Sequence, residues 1–185
     1  RLDAAQARNA AVRAEMLGYA YNADAYHSTS PDPTGQSQKR MFQQALDDAG
    51  CKLAEVDYVN AHGTGTIGND ITESRLLEQI FGPRAKAIPI SSTKGALGHT
   101  LGATGAIEAL LTVLAIEHNV APPTANFTKA RHGCTLDYVP NKARPVPIQV
   151  AVSQNFAFGG SNAALVIGKV RSSARPSAKP LQRVV

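Results

Sequence analysis

The feature that most constrains this chain is a pattern that occurs twice: a short apolar run ending in a polar, glycine-rich loop that holds a histidine. Val56 to Asn60 runs into His62-Gly63-Thr64-Gly65-Thr66, and Ala87 to Ser92 runs into Thr93-Lys94-Gly95-Ala96-Leu97-Gly98-His99. Such runs, bounded by loops of this kind, read as short buried strands. The glycines permit positive φ and close approach of one backbone to another. A helical pattern follows each loop. After the first, Asp70 and Glu73 resemble a capping box, and Leu77, Ile80 and Phe81 form an apolar face before Gly82-Pro83 stops the helix. After the second, Gly102 to His118 is apolar around much of its circumference (Ile107, Leu110, Leu111, Leu114, Ile116), which predicts a helix packed on several sides with Glu108 inside.

The flanking segments fill in the class. Leu2 to Arg13 reads as helix, and the apolar residues of Val12 to Ala20 fit either a helix or a strand. Ser28 to Gly35 is a loop, and Phe42, Ala45, Leu46 and Ala49 mark an amphipathic helix stopped by Gly50. Pro122-Pro123-Thr124 breaks the apolar helix, and a loop runs on to Pro147. Ile148 to Val152 and Ala163 to Ile167 then read as a strand pair flanking Asn155-Phe156-Ala157-Phe158-Gly159-Gly160. Strands alternating with helices, followed by two successive strands, predict an α/β fold with a mixed β-sheet layered with α-helices. With 185 residues, 43% of them hydrophobic, the chain can bury one core, expected over residues 1–170.

Charge and cysteine content remove several function classes. The net charge is +5, but Arg171, Arg175, Lys179 and Arg183 lie in the last fifteen residues with no acid among them, so residues 171–185 read as a basic, disordered tail. No aromatic residue interleaves those charges, so no nucleic-acid partner is expected. Cys51 and Cys134 form no CxxC pair, and there is no HExxH, so neither a disulfide framework nor a metal site is indicated. No apolar run approaches the roughly 20 uninterrupted residues of a membrane span, and no secretory leader pattern opens the chain. A cytoplasmic protein without a membrane partner is the expectation. Arg1 stands where an initiator methionine would be, so an upstream segment is expected too.

His62 and His99 both stand where a strand exits into a loop, the place at which open α/β sheets bind ligands. Two imidazoles in such parallel contexts suit a donor or proton-transfer pair, although a single loop histidine is more often only a solvated or hydrogen-bonded residue. Lys94 needs a buried carboxylate partner, and Glu108 is the candidate, because an unpaired acid on so apolar a helix would be costly. That pair could equally do no more than hold the loop. Gly63 to Gly68 fits the GxGxxG spacing, but the strand that should end in a ribose-binding acid ends in Ser91-Ser92-Thr93. No dinucleotide cofactor is expected.

The blocks His62 to Thr66, Lys94 to His99 with Leu101-Gly102-Ala103-Thr104-Gly105, and Asn155 to Gly160 stand in an order and spacing that resembles the β-ketoacyl-acyl-carrier-protein synthases of fatty-acid synthesis, elongation type. Asp24-Ala25-Tyr26-His27, Pro31-Asp32-Pro33, Pro122-Pro123-Thr124 and Leu136 to Pro140 extend the likeness to nearly everything but the tail. The resemblance implies a thiolase-like fold of two similar halves, of which this chain matches the C-terminal half. It implies a decarboxylative condensation of malonyl and acyl thioesters carried on the phosphopantetheine of acyl carrier protein, with no further cofactor and a homodimeric parent. The family's nucleophilic cysteine belongs to the first half, and neither Cys51 nor Cys134 matches it, so this chain alone is expected to be inactive. The same resemblance gives His62 and His99 as the catalytic histidines, whose N–H groups stabilise the enolate left by decarboxylation, and Lys94 with Glu108 as an ordering pair. It gives Thr64 and Thr66 as pantetheine contacts, and Phe156 and Phe158 as the acyl gate and oxyanion loop. One departure stands out: the usual Asn-Ser-Phe-Gly-Phe-Gly-Gly is here Gln154-Asn155-Phe156-Ala157-Phe158-Gly159-Gly160. Ala157 is expected to restrict the gate by losing left-handed conformations. A chain-length-factor-like, non-catalytic subunit and a polyketide ketosynthase share most of these motifs.

Overall fold

Both glycine-rich loops leave the same edge of one sheet, because the strands that feed them are parallel neighbours. The computed structural model describes residues 2–170; the basic tail, 171–185, lies outside the described residues. A short helix α1 (Leu2–Ala7) precedes strand β1 (Glu15–Ala23), followed by α2 (Gln36–Ala49), β2 (Tyr58–Asn60), α3 (Ile67–Phe81), β3 (Ile90–Ser91) and α4 (Lys94–Leu97). Next come α5 (Thr104–His118), a small pair β4 (Val120–Ala121) and β5 (Arg144–Pro145), and the hairpin strands β6 (Val150–Ala157) and β7 (Ser161–Gly168). Among the described residues the main sheet has the order β1-β7-β6-β2-β3. Strand β2 is parallel to β3 and to β6, whereas β6, β7 and β1 run antiparallel to one another, so the sheet is mixed.

The period-two alternation of the strands divides the core into two layers. Val59, Val150, Val152 and Val166 face α2 and α3, where Met41, Phe42, Leu46, Leu76, Leu77 and Phe81 pack on them. Tyr58, Ala151 and Ile167 point the other way, onto Ala115 and Ile116 of α5. The fold is therefore three layers, helix on sheet on helix, with both histidine loops at the carboxyl ends of β2 and β3.

Several local expectations change. The opening helix stops at Ala7 and buries nothing, and the ambiguous stretch after it is strand from Glu15 onward, paired along β7 from Glu15↔Gly168 to Ala23↔Ser161. Backbone pairing decides a segment whose side chains fit both periods. Asp70 and Glu73 do not form a capping box: Thr66 is the N-cap residue of α3, and no side chain caps it. Asn155 and Phe156 lie within β6, not in a loop between strands. Helix α5 is not packed on several sides. Its buried face carries Thr104, Glu108, Thr112, Ala115 and Ile116, while Leu110 is 66% and Leu114 is 42% exposed. Residues Leu101–His118 are long and apolar enough to cross a membrane, but their inward face holds Glu108 in an ion pair with Lys94 against the sheet.

The fit of α2 onto β1 depends on Gly18. A Cβ there would stand 2.3 Å from the Ala49 nitrogen and 2.7 Å from its Cα, both backbone atoms of α2 that cannot rotate away. Gly18→Ala is therefore expected to push α2 off the sheet and lower stability by about 1–3 kcal/mol, read as a fall in the midpoint of chemical denaturation.

Candidate active site

The two histidines meet across the ends of β2 and β3. Their ring centroids are 5.6 Å apart with planes at 85°, and the Phe156 ring lies 5.5 Å from His62 on the other side. His62 is held from below by Glu73, whose Oε1 accepts the His62 backbone N–H at 2.7 Å while Oε2 accepts the Gly63 N–H at 2.8 Å. Gln154 Nε2 and Asn69 Nδ2 complete that carboxylate's set of donors at 2.7 and 3.1 Å. Burial pushes the Glu73 carboxyl up, and these donors act against the push. Gly63 itself is in the left-handed region at φ 43°, and a Cβ on it would meet Ser92 Cβ at 2.4 Å. That contact, with Ser92 Oγ donating to the Gly63 carbonyl at 2.9 Å, ties the first histidine loop to the second strand.

On the other face of the sheet Lys94 Nζ donates to Glu108 Oε1 at 2.5 Å, with both side chains almost completely buried. Glu108 Oε2 accepts Asn155 Nδ2 at 2.9 Å, and Asn155 Oδ1 lies 3.2 Å from His62 Nδ1. His99 Nδ1 is taken up by the Leu101 N–H at 3.1 Å and the Thr104 hydroxyl at 3.0 Å. Burial, then the Lys94 ammonium and to a lesser degree His99, hold the His62 imidazole down to about 3, opposed by its bond to Asn155. His62 is therefore neutral at physiological pH. The Thr64 and Thr66 hydroxyls are 2.9 Å apart and exposed at the start of α3. Thr64, but not Thr66, shares with Gly63, Lys94 and His99 the wall of a cavity of about 860 Å³, which Lys129 and Arg131 also line. Phe158, unlike Phe156, is turned outward and 74% exposed. Among the described residues no group of three or more histidine, cysteine or acidic side chains could hold a metal ion.

Reading the sequence missed Glu73, Gln154 and Asn155 as parts of this network. The signal existed for Glu73, which is four residues before Leu77 and eight before Phe81 and so falls on the buried stripe of α3. Gln154 and Asn155 divide between the faces of β6, one reaching Glu73 and the other Glu108. That division follows from strand alternation once the strand is known to continue past Val152.

The three-layer half with paired imidazoles at the strand ends has the thiolase-like fold of known ketosynthases. A β-ketoacyl synthase from Burkholderia phymatum STM815 superposes with a TM-score of 0.85 and 42% identity over 91% of this chain and 40% of that one. A type II polyketide ketosynthase in complex with its acyl-carrier protein gives 0.88 and 37%, over 91% of this chain and 41% of that one. Residues 13–128 match the model of the β-ketoacyl synthase C-terminal domain, and the chain belongs to that family. It is 45% identical over 169 residues to 3-oxoacyl-[acyl-carrier-protein] synthase 2 of Coxiella burnetii, covering 91% of this chain and 41% of the relative. The corresponding protein of Synechocystis is 46% identical, covering 91% and 40%. The chain thus spans about two fifths of the length of the curated relatives it matches.

Two measurements bear on this geometry. Removing one partner of a buried ion pair strands the other charge, so Glu108→Leu is expected to lower stability by about 3–5 kcal/mol, and the double variant Lys94→Met/Glu108→Leu to recover most of that loss. A denaturation double-mutant cycle with additive losses would contradict the pairing. Because His62 is held near 3 when folded and titrates near 6.5 when unfolded, the unfolded chain binds the extra proton between those values. Its share of stability is intact above about pH 6.5 and declines as pH falls toward 3, by about 2 kcal/mol between pH 7 and 5. His62→Gln is expected to lose correspondingly less over that interval, measured by denaturation at both pH values.

Proposed function

We propose that this chain supplies the histidine and lysine machinery of a β-ketoacyl-acyl-carrier-protein synthase. In that enzyme a malonyl thioester loses carbon dioxide, and the resulting carbanion attacks an acyl group held as a thioester on a cysteine of the other half. The observation that carries the reading is the pair of imidazoles at 85°, His62 buried and His99 open to the cavity, beside the buried Lys94–Glu108 ion pair. Decarboxylation puts negative charge on the thioester oxygen, and a fixed N–H in a site sheltered from water stabilises it far better than solvent does. Lys94 and Glu108 form an ion pair whose part is to hold the site, and the Lys94 ammonium adds to burial in keeping His62 uncharged. The cavity at Thr64, Lys94 and His99 has room for a pantetheine arm, and Lys129 in its lining, beside an Arg131 that is paired with Asp70, suits a phosphate-bearing carrier. Substrates arrive on acyl carrier protein, and no other cofactor is assigned.

The reading also gives a partner to the outward face of α5, where Leu110 and Leu114 are exposed, with Leu101 exposed in the turn just before the helix. Apolar patches of this kind mark interaction surfaces. The half that carries the cysteine would cover it, and this chain by itself would not condense. A polyketide ketosynthase is the second reading, favoured by the identity shared with the type II polyketide enzyme; it uses the same residues on a different acyl chain.

The test is a mass-spectrometric condensation assay with acyl- and malonyl-carrier protein. Product is expected from the intact synthase, none from this chain alone, and about 10²–10³-fold less from the intact synthase carrying His99→Ala, the loss typical of one oxyanion donor. An intact, folded synthase without product would favour a non-catalytic, chain-length-factor-like subunit.

A further inference from the structure

Gly65 stands between the two threonines of the first histidine loop, and both polar groups of its backbone are held by one ion pair. Asp70 Oδ1 accepts the Gly65 N–H at 3.1 Å, and Arg131 Nη2 donates to the Gly65 carbonyl at 2.5 Å. The same two side chains meet each other, with Arg131 Nε 3.2 Å from Asp70 Oδ2. Each therefore grips Gly65 with one arm and its partner with the other, which suits a carboxylate with two acceptor oxygens and a guanidinium with a planar fork. Gly65 has φ 77°, with no atom within 4 Å of where a Cβ would stand, so the position needs glycine for its backbone angle and not for space. Arg131 belongs to the segment 126–132, every residue of which lines the cavity. That segment starts on the second histidine loop, where Asn126 Nδ2 donates to the Gly95 carbonyl at 2.9 Å. It ends on the first, where Cys134 Sγ, just beyond the Arg131 grip, lies 3.6 Å from the Asp70 carbonyl.

We infer that Arg131, acting with Asp70, is a positioning residue that fixes the Gly65 peptide, and that residues 126–132 form a strap tied across the cavity from one histidine loop to the other. Thr64, directly before Gly65, lines the cavity, and its hydroxyl meets that of Thr66, directly after it, at 2.9 Å. The backbone angle at Gly65 decides whether those two hydroxyls can meet. Releasing its carbonyl lets Thr64 turn and loosens the cavity wall between loop and strap. Two nitrogens of Arg131 are already committed inside the protein, so the guanidinium serves the loop and leaves the phosphate of a carrier to Lys129. That the loop receives a pantetheine arm rests on the condensing-enzyme reading, but the grip on Gly65 does not.

Steady-state kinetics of the intact synthase with malonyl-pantetheine, which has the arm but neither carrier protein nor phosphate, tests it. Arg131→Gln is expected to raise KM for malonyl-pantetheine about tenfold and to leave kcat little changed, the mark of a lost interaction that serves binding alone. Arg131→Lys, which keeps the charge without the fork, is expected to fall between. A KM that rises for malonyl-carrier protein but not for malonyl-pantetheine assigns Arg131 to the phosphate or the carrier and overturns the inference. Asp70→Asn added to Arg131→Gln is expected to raise KM little further, because both side chains act on one peptide; additive losses would contradict that. Hydrogen exchange at the Gly65 amide, followed in the same intact proteins, reads the grip without reference to activity. Faster exchange in Arg131→Gln at an unmoved denaturation midpoint supports it, and unchanged exchange removes it. The two ideas stay apart: an inactive synthase with the faster exchange leaves the grip standing and removes the function, and an active one with unchanged exchange and KM does the opposite.

Discussion

Two carboxylates buried on opposite faces of one sheet determine where the imidazoles stand. Neither Glu73 nor Glu108 can be left without donors, because a desolvated, unpartnered carboxylate would outweigh much of the net stability of a domain this size. Glu73 meets the requirement largely with backbone, taking the N–H groups of His62 and Gly63 themselves. The first histidine loop is thereby pinned at its main chain, while its ring is held separately, by Asn155 and between His99 and Phe156. Glu108 meets the requirement with side chains, Lys94 from the second loop and Asn155 from β6. Both loops and the hairpin thus converge because two acids need to be satisfied, and the spacing of the histidines follows from that.

The sheet makes this possible through its alternation. On β6, Gln154 reaches down to Glu73, and Asn155 reaches up to Glu108 and His62. Neighbouring residues of one strand therefore link networks on opposite faces, which no pair of adjacent helix positions could do. Asn60, the last residue of β2, adds a tie to α5 through the Glu108 carbonyl and the Thr112 hydroxyl. This explains a helix whose inward face is partly polar and whose outward face is apolar, the inverse of an ordinary surface helix.

Much of this was legible from residues alone, and the failures have physical causes. The strand-to-loop exits at His62 and His99, the α2 helix with its Gly50 stop, and the burial of Glu108 all follow from local pattern. What local pattern does not carry is long-range pairing. Strand β1 was ambiguous because only its ladder with β7, about 150 residues away in sequence, selects extended backbone. Glu73 looked like a cap because Asp70-x-x-Glu73 has the right spacing, yet the helix begins at Ile67 and both acids lie past its first residue. The apolar ring of α5 suggested burial on all sides, whereas periodicity reports which residues avoid water and not what covers them.

The departures in the segment from Gln154 to Gly160 are unequal in weight. Ala157 replaces a glycine of the related motif, and a loss of left-handed freedom was the expected consequence, but Ala157 has φ −120° and ψ 164°, extended backbone that alanine adopts without strain. The positive φ angles fall on Gly159 and Gly160, at 78° and 74°, where the hairpin actually turns. Asn155 stands where the related motif has serine, and there the chemistry does change. A hydroxyl rotates and can present either a proton or a lone pair to the ring beside it, so it leaves the ring free to choose. An amide locked against a paired carboxylate presents only oxygen. The substitution that looks conservative in polarity is therefore the one that constrains the histidine, and the one that looks conformationally severe leaves the backbone as it was.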